Sequence, residues 1–257
     1  HFYKGAPKLN WMLYYPVEKW LARYTDALIT INKEDYELAG SKLTLRGGGK
    51  VYYVPGVGID KSAYKTDADT RAAKREELGI PQNAFVIISA GELNANKNNR
   101  AIISAMKRAE RKDVHYVLCG VGDMEVHLQK QAEELSLSDR VHFIGYRKDI
   151  KELYKMSDCF VMPSYREGLS RSMMEAMASG LPCIASKIRG NTDLLEEGGG
   201  FLCEADDIEA YAQKIDLLAG DSLMRAAMGK KNLEVIEKFS TENVTQAMLK
   251  IYEAELK

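Results

Sequence analysis

Two glutamates, Glu167 and Glu175, are separated by seven residues in the stretch YREGLSRSMMEAMASGLP. A strand-like run, Cys159–Met162, precedes them, and a helix is predicted to begin near Ser170–Ser172. Glu167 is therefore expected in a loop, and Glu175 about one turn inside the helix. Carboxylates accept hydrogen bonds from hydroxyl groups, so a molecule with hydroxyls at two places could be held between them.

The N-terminus of this helix indicates what could lie between the two carboxylates. Helix N-termini carry partial positive charge and free N–H groups, which together bind anions such as phosphate. A diphosphate bound there would carry one group at each end, and a carboxylate beside each group would suit sugar hydroxyls. The pattern therefore fits a sugar nucleotide, with Glu167 and Glu175 at its two ends.

Glu175 also has a purely structural interpretation, which the residues alone leave open. Ser172 and Glu175 fit the pattern S-x-x-E, a capping box in which the glutamate accepts a hydrogen bond from the backbone N–H of the cap residue. The neighbouring Met173, Ala176 and Met177 are interpreted as core residues.

A lysine, Lys97, occupies a comparable place in SAGELNANKNNR, which begins at Ser89. The strand is predicted to end near Ala90, and a polar turn leads to a helix starting close to Asn96. A cation at a helix N-terminus opposes the helix dipole unless an anion is bound there. Lys97 is therefore either a phosphate-binding residue or an ordinary exposed lysine, and both interpretations stand at this point.

Three other loops follow strands and carry glycine or polar residues. VPGVGID contains Gly58, VHFIGYRKD contains Tyr146 and Arg147, and SKIRGNTDLL contains Gly190 and Asn191. Each loop is also explained by an ordinary turn or helix cap. Gly58, Tyr146 and Arg147 are kept among the candidate ligand-binding residues.

The elements that must position these residues alternate along the chain. From Val51 onward, short β-branched runs alternate with amphipathic helical stretches. Runs such as VIISA and CFVM are apolar throughout, as is typical of parallel strands covered on both faces. The alternation predicts an α/β fold with a doubly wound parallel sheet. Ligands bind such sheets outside the carboxyl ends of the strands, where the candidates above are placed.

The predicted strands are Asp26–Ile31, Lys50–Val54, Ala84–Ala90, Val114–Gly120, Arg140–Gly145, Asp158–Met162, Pro182–Ala185 and Gly200–Cys203. The predicted helices are Leu9–Tyr24, Lys33–Ala39, Asn96–Arg111, Met124–Leu135, Ile150–Lys155, Ser172–Ala178, Asp193–Glu196, Asp207–Ala219, Ser222–Phe239 and Thr241–Leu256. We predict a domain boundary within 55–65, which gives three segments, 1–55, 56–240 and 241–257. Because HFYKGAP does not begin with methionine, the chain is expected to be a fragment of a longer protein.

Composition excludes several classes of function. The 36 basic and 37 acidic residues nearly balance, which argues against a nucleic-acid binder. The four cysteines are widely spaced and are predicted to be buried, reduced thiols. The histidine spacing does not fit zinc, so no metal site is predicted. No apolar run reaches the ~20 residues of a membrane span, and no signal peptide is recognised, which predicts a cytoplasmic protein.

The first predicted helix has two interpretations. It is basic and aromatic, so it could contact a membrane or a lipid-linked molecule. The spacing of Leu13, Val17, Trp20, Leu21 and Tyr24 also fits a helix packed on a core, and this second interpretation is favoured.

The combination of motifs resembles the retaining glycosyltransferases of family four, which have the GT-B fold of two Rossmann-like domains facing a cleft. EGLSRSMMEAMASGLP is similar to their signature of two glutamates separated by seven residues. The resemblance continues through SAGELNANKNN, GVGD, VHFIGY and RGNTDLL to the final helices, and covers nearly the whole chain. The first 40 residues look like the last part of the N-terminal domain in the capsular and exopolysaccharide branch.

The resemblance implies a role for each candidate residue. Glu167 matches the glutamate that binds donor-sugar hydroxyls, and Glu175 matches the one that holds the ribose diol. Lys97 matches the residue that neutralises the diphosphate, so Glu167 and Lys97 are the catalytic candidates. The remaining donor-binding candidates are Gly168, Leu169, Ser170, Arg171, Gly58, Tyr146 and Arg147, with Tyr146 and Arg147 near the nucleotide base.

One position departs from the family pattern. Many members carry an arginine where this chain has Glu92, and a carboxylate cannot bind phosphate directly. Either Lys97 acts alone with helix dipoles, or another cation such as Arg171 or Arg100 assists it.

The resemblance also implies a reaction and its partners. A sugar, with a UDP-sugar favoured as donor, would pass to a hydroxyl of a sugar or lipid-linked saccharide with retention and without a metal or other cofactor. The family's domains imply that residues 1–55 and the crossing helix 241–257 belong to the acceptor domain, and 56–240 to the donor domain. Peripheral contact with the inner face of the plasma membrane through a missing N-terminal portion is expected, and the fragment alone is expected to be inactive.

Rival functions remain at this point. A GT-B sugar-nucleotide epimerase would share the same donor site, and a non-catalytic nucleotide-sugar-binding module would share it without turnover. A dinucleotide-dependent oxidoreductase is disfavoured, because VPGVGID lacks the last glycine and the following helix of G-x-G-x-x-G.

Overall fold

The chain forms two compact units in a computed structural model that describes residues 6–64, 70–195 and 198–256. The smaller unit combines the residues up to Gly58 with those from Lys238 onward, and the larger unit runs from Ile59 to Glu237. The C-terminal helix therefore returns to the unit that contains the start of the chain.

The smaller unit is built on two parallel strands, β1 (Ala27–Thr30) and β2 (Lys50–Tyr53). Its helices are α1 (Lys8–Leu21), α2 (Lys33–Lys42) and α11 (Thr241–Glu255). The side chains of Val54, Val244 and Ile251 form its small buried core.

Helix α1 differs from its prediction. None of its residues is buried in the described part of the chain, and Leu13, Val17, Trp20, Leu21 and Tyr24 are all exposed large apolar side chains. The favoured prediction, that this face packs on a core, is therefore not met by the described residues. Periodicity identified the helix correctly, and the helix accommodates Pro16 in its interior.

The larger unit contains a six-stranded sheet in the order β5-β4-β3-β6-β7-β8, and all of its pairings are parallel. Its strands are β3 (Phe85–Ala90), β4 (Val114–Cys119), β5 (Val141–Phe143), β6 (Cys159–Met162), β7 (Cys183–Ser186) and β8 (Gly200–Cys203). Its helices are α3 (Thr70–Glu77), α4 (Asn99–Arg108), α5 (Glu125–Glu134), α6 (Ile150–Met156), α7 (Arg171–Ala178), α8 (Asn191–Leu195), α9 (Ile208–Gly220) and α10 (Ser222–Val235). The predicted doubly wound parallel sheet is confirmed.

Strand order reverses between β3 and β6, and this reversal opens the crevice of the sheet. From β3 the chain moves outward through β4 to β5, and then returns to the other side of β3 as β6. The connections that leave the carboxyl ends of β3 and β6 therefore diverge, which is where ligands bind in open α/β sheets. The predicted Lys97 and Glu167 segments are these two connections.

Burial explains why the strands form where they do. Val86, Ile87 and Ile88 of β3 and Val117 and Leu118 of β4 are fully buried, because helices cover both faces of the sheet. The four cysteines are buried and unpaired, as predicted. Among the described residues, no helix is both long and apolar enough to cross a membrane.

Two helices differ from their predicted extents for identifiable reasons. The helix predicted from Asn96 is divided into a 3-10 turn, Ala95–Lys97, and α4, because Asn98 between them adopts a left-handed conformation with φ 51°. Helix α3 was not predicted at all. Its only buried residue is Arg75, so no apolar stripe marks it in the sequence.

Arg75 links α3 to the amino ends of the central strands β3 and β6, away from the crevice. It is fully buried and donates hydrogen bonds to the carbonyl oxygens of Met156 at 3.0 Å and Ala84 at 2.8 Å. Its guanidinium also pairs with Asp158 at 2.8 Å, and the same carboxylate accepts from the backbone N–H of Val86 at 2.8 Å. One buried side chain thus joins the starts of β3 and β6.

We expect Arg75→Met to lower the free energy of unfolding by about 3–5 kcal/mol, because several carbonyls lose their donor and Asp158 loses its buried cation. Urea unfolding of the purified chain measures this change. Arg108→Met is the matched control, since Arg108 is exposed and faces Glu209 at 3.8 Å. Its expected effect is below about 1 kcal/mol. Equal effects of the two substitutions would contradict the stabilising role assigned to Arg75.

Candidate functional site

A cavity of about 710 Å³ lies at the carboxyl ends of the central strands of the larger unit. Eight of the residues predicted from the sequence line it: Lys97, Tyr146, Arg147, Glu167, Leu169, Ser170, Arg171 and Glu175. Glu92, the position that departs from the family pattern, lines it as well. Residues that are distant in sequence are thus brought to one surface by the strand order.

Lys97 and Glu167 are ion-paired within this cavity. Lys97 Nζ lies 2.7 Å from Glu167 Oε1, and their side chains are 24% and 13% exposed. The prediction assigned the lysine to phosphate and the glutamate to sugar as independent groups. The structure places them in direct contact, so a ligand that engages either residue changes the environment of the other.

Hydrogen bonds between the two loops fix this contact. The backbone N–H of Tyr165 donates to the carbonyl of Asn96 at 2.9 Å, and the Asn96 side chain donates to the carbonyl of Arg166 at 3.0 Å. Asn98 donates to the carbonyl of Pro163 at 3.3 Å. Asn96 and Asn98 therefore join the connections after β3 and β6.

Helix α7 begins at Arg171, and its cap is Ser170. The Ser170 hydroxyl accepts from the backbone N–H of Met173 at 3.4 Å. The predicted capping box of Ser172 and Glu175 is wrong, because Glu175 lies in the second turn of the helix, beyond the reach of the cap N–H. Its carboxylate accepts hydrogen bonds from side chains rather than from the helix backbone, and Glu175 lines the cavity.

Two side chains donate hydrogen bonds to the Glu175 carboxylate. Arg171 Nε donates to Oε1 at 3.2 Å, and the Tyr154 hydroxyl donates to Oε2 at 3.2 Å. Arg171 is 76% exposed, whereas the Glu175 side chain is 14% exposed. Glu175 is thus a mostly buried carboxylate with one removable cationic partner.

The loop before α7 is supported by a close approach of two glycines. A Cβ on Gly190 would lie 2.0 Å from the carbonyl oxygen of Gly168, and Gly190 has φ +78°. Leu169 and Ser170 line the cavity, while the carbonyl of Gly168 contacts Gly190. Asn191 is buried, and its side chain donates to the carbonyl of Ser186 at 3.0 Å. The RGN motif thus supports the Glu167 loop.

Arg147 and Tyr146 lie at one edge of the cavity but differ in character. Arg147 pairs with Asp149 at 2.7 Å and with Glu77 of α3 at 2.6 Å. Hydrogen bonds from Arg147 and Lys74 hold the pKa of Asp149 well below its usual range. The charge of Arg147 is therefore neutralised within the protein, whereas Tyr146 is exposed and available to stack on a planar ligand.

The two cations predicted to assist Lys97, Arg171 and Arg100, lie at different cavities. Arg171 lines the cavity, but Arg100 lines a different, smaller cavity and donates to the hydroxyl of Tyr165 at 3.1 Å. Glu92 accepts a hydrogen bond from the Asn94 side chain at 2.8 Å.

Gly58 belongs to the smaller unit, where local structure accounts for it. Its φ is +83°, and a Cβ there would lie 2.9 Å from Thr241 Cα. A glycine is required at this position on backbone grounds alone, and the donor-binding role stays a prediction.

Sequence reasoning missed several residues at the cavity. Cys119, Val121 and Ile150 line it, and Tyr154 contacts it through Glu175. Cys119 ends β4, so its position at a strand terminus was a usable signal. Tyr154 is fully buried in α6 and resembles any aromatic core residue in the sequence.

Comparison with solved structures identifies the class of fold. The chain superposes on HepE of Anabaena, whose crystal structure is in complex with UDP and glucose, with a TM-score of 0.85 at 24% sequence identity. The alignment covers 98% of this chain and 68% of HepE. The chain therefore has the α/β fold with parallel sheets found in GT-B glycosyltransferases, as predicted.

The chain belongs to the glycosyl transferases group 1 family, whose family model matches residues 70–235. It is 37% identical over 258 residues to EpsD of Bacillus subtilis, which is described as a glycosyltransferase. It is 30% identical over 234 residues to an Escherichia coli α-1,3-galactosyltransferase that acts from UDP-Gal on α-D-GlcNAc-diphosphoundecaprenol. The alignments cover 99% and 87% of this chain, and 67% and 60% of the respective relatives.

The Lys97–Glu167 pair is expected to be energetically coupled, because both side chains are mostly removed from water. In a double-mutant cycle with Lys97→Met and Glu167→Gln, we expect a coupling of about 1 kcal/mol in the free energy of urea unfolding. Lys130 and Glu134 form the control pair, which is exposed and separated by 3.7 Å. Their coupling is expected below about 0.5 kcal/mol. A Lys97–Glu167 coupling as small as the control would show that the contact is not maintained in solution.

The corrected helix cap gives a second test of the site. Ser170→Ala is expected to lower the free energy of unfolding by about 1 kcal/mol, because it removes the acceptor for the Met173 N–H. Ser172→Ala is the matched control, two residues away, and should cost less than about 0.5 kcal/mol. Thermal or urea unfolding measures both changes in stability. A larger loss for Ser172→Ala than for Ser170→Ala would favour Ser172 as the cap residue.

Proposed function

We propose that the protein transfers a sugar from a nucleotide diphosphate sugar, with a UDP-sugar favoured, to an acceptor hydroxyl with retention of configuration. The observation that carries the proposal is the placement of Lys97, Glu167 and Glu175 around one cavity, with the N-terminus of α7 between the glutamates. One cation, one helix terminus and two separated carboxylates match the charge pattern of a sugar nucleotide.

The diphosphate is proposed to lie against the N-terminus of α7 and the Lys97 ammonium. Backbone N–H groups and a full positive charge both favour a phosphate oxygen. Lys97 would then exchange its carboxylate partner for a phosphate, and Glu167 would accept a hydrogen bond from a donor-sugar hydroxyl. The resting ion pair keeps both groups in place before the ligand arrives.

The chemistry proposed for these residues is electrostatic. The bond between the anomeric carbon and the β-phosphate oxygen breaks, and a bond from the acceptor oxygen to that carbon forms on the same face. The acceptor proton passes to the leaving phosphate. Lys97 and the α7 N–H groups stabilise the negative charge that develops on the diphosphate, while Glu167 orients the sugar and forms no covalent bond to it.

The acceptor is proposed to be a sugar or lipid-linked saccharide in the biosynthesis of a cell-surface polysaccharide. The Escherichia coli relative, whose acceptor is carried on diphosphoundecaprenol, supports this proposal. A location in the cytoplasm, at the inner face of the plasma membrane, remains a prediction, as do independence from metals and inactivity of this chain by itself. Turnover is proposed for the whole protein, because the chain spans 67% of EpsD and 60% of the galactosyltransferase.

Ligand binding by this chain tests the donor site directly. In calorimetry with UDP, GDP, ADP and UDP-glucose, Lys97→Ala is expected to weaken UDP and UDP-glucose alike, by tenfold or more, because both carry the diphosphate. Glu167→Ala is expected to weaken only UDP-glucose, while UDP binds at least as tightly as to the wild type, since Lys97 loses its internal competitor. Lys130→Ala, a change on the exposed face of α5, serves as the control.

Two outcomes would count against the proposal. If the wild type binds none of the nucleotides, the cavity is not a donor site. If Glu167→Ala weakens UDP and UDP-glucose equally, Glu167 does not face the sugar. For the longer protein, conversion of one UDP-sugar into another without acceptor would favour an epimerase. Absence of UDP release with mixed acceptors would favour a binding module.

A further inference from the structure

The Glu175 carboxylate is hydrogen-bonded from two elements of the larger unit. Arg171 reaches it from the first turn of α7, and Tyr154 reaches it from α6. Tyr64, in the 3-10 turn Lys61–Tyr64, lies near this carboxylate, and burial acts together with the carboxylate's charge to raise the pKa of the Tyr64 phenol. Neither tyrosine was singled out by the sequence, and neither lines the cavity among the described residues.

Tyr154 is held rigidly. It is fully buried, and its ring meets that of Phe160 edge-on, with 6.2 Å between ring centroids. Its hydroxyl lies 3.2 Å from Glu175 Oε2 and 3.2 Å from the carbonyl oxygen of Ser172. A phenol has a single proton to donate, and an ionised carboxylate is the stronger acceptor of the two.

Tyr64 packs beside Tyr154. Its ring lies 6.5 Å from that of Tyr154, and the Lys151 ammonium lies over the Tyr64 ring, 5.6 Å from its centroid. Burial and the neighbouring Glu175 raise the pKa of both Tyr64 and Tyr154. Both phenols therefore stay protonated at neutral pH and remain hydrogen-bond donors.

Counting acceptor positions shows what is left for a ligand. A carboxylate offers about four lone-pair positions. Arg171 and Tyr154 occupy two of them in the resting structure. Arg171 is 76% exposed and can turn into solvent, whereas Tyr154 cannot move without disturbing the core. With Tyr154 retained and Arg171 displaced, about three positions remain, enough for the two hydroxyls of a vicinal diol.

We propose that Tyr154 is a positioning residue that holds the Glu175 carboxylate with its free oxygen positions toward the cavity, and so makes the site selective for a ribose diol. The inference rests on the proposed function, because it takes the ligand of Glu175 to be the ribose of a nucleoside diphosphate. Arg171 is the exchangeable partner that occupies the carboxylate before the diol binds.

The test compares UDP with 2′,3′-dideoxy-UDP, which lacks the diol, in calorimetry with the purified chain. Tyr154→Phe is expected to weaken UDP about three- to tenfold, the equivalent of one hydrogen bond to a charged group. It should change the affinity for 2′,3′-dideoxy-UDP less than twofold. In a Glu175→Ala background, Tyr154→Phe should have no further effect on UDP.

Tyr211→Phe is the matched control. Tyr211 is also fully buried in the larger unit, and its hydroxyl has no hydrogen-bond partner among the described residues. Its substitution should leave the affinity for both ligands unchanged. Tyr64→Ala gives a second test, because it removes the half-buried ring that packs beside Tyr154. A smaller loss that is selective for UDP is expected, even if Tyr154→Phe fails to fold.

The outcomes separate this inference from the proposed function. Binding of none of UDP, GDP and ADP by the wild type removes the proposed function and the inference together. If the wild type binds UDP but Tyr154→Phe and Tyr64→Ala weaken both ligands equally, or weaken neither, Tyr154 only fills space and the inference is wrong. If the wild type binds UDP and 2′,3′-dideoxy-UDP with equal affinity, Glu175 does not bind the diol. The inference is then wrong, while the proposed donor binding is unaffected.

Discussion

The return of the chain to the free side of β3 as β6 constrains everything else in the larger unit. Parallel strands need crossover connections on a face of the sheet, so reversing the strand order leaves a gap where two connections diverge. The connection after β3 carries Lys97, and the connection after β6 carries Glu167. The two side chains form an ion pair at 2.7 Å, which joins the two connections. The buried Arg75–Asp158 pair joins the same two strands at their opposite ends.

Those parts of the fold that depend on local pattern were predictable from the sequence. Continuously apolar runs located β3, β4 and β6, and the spacing of Ala101, Ile102, Ala105 and Met106 located α4, whose face they bury. The placement of polar segments after strands, together with the resemblance to a known family, located eight of the residues that line the cavity. These signals succeed because each one depends on burial within a single strand or helix.

Contacts between distant segments were not predictable in the same way. Nothing near Lys97 in the sequence indicates Glu167 as its partner, because the pairing depends on strand order rather than on spacing. Helix α3 escaped detection since its buried residue is Arg75, an arginine that is satisfied by carbonyl oxygens and a carboxylate. The cap of α7 was left open between Ser170 and Ser172, because both fit local capping rules and only backbone geometry shows that Ser170 is the cap.

The cavity contains charge of both signs in equal number. Among the described residues that line it, Lys97, Arg147 and Arg171 are basic, and Glu92, Glu167 and Glu175 are acidic. Such a balanced site produces little field beyond its own walls, so an anionic ligand is not drawn toward it from a distance. For the ligand proposed above, the rate of association would therefore depend only weakly on ionic strength, and selectivity would arise after entry, through exchange of one short-range partner for another.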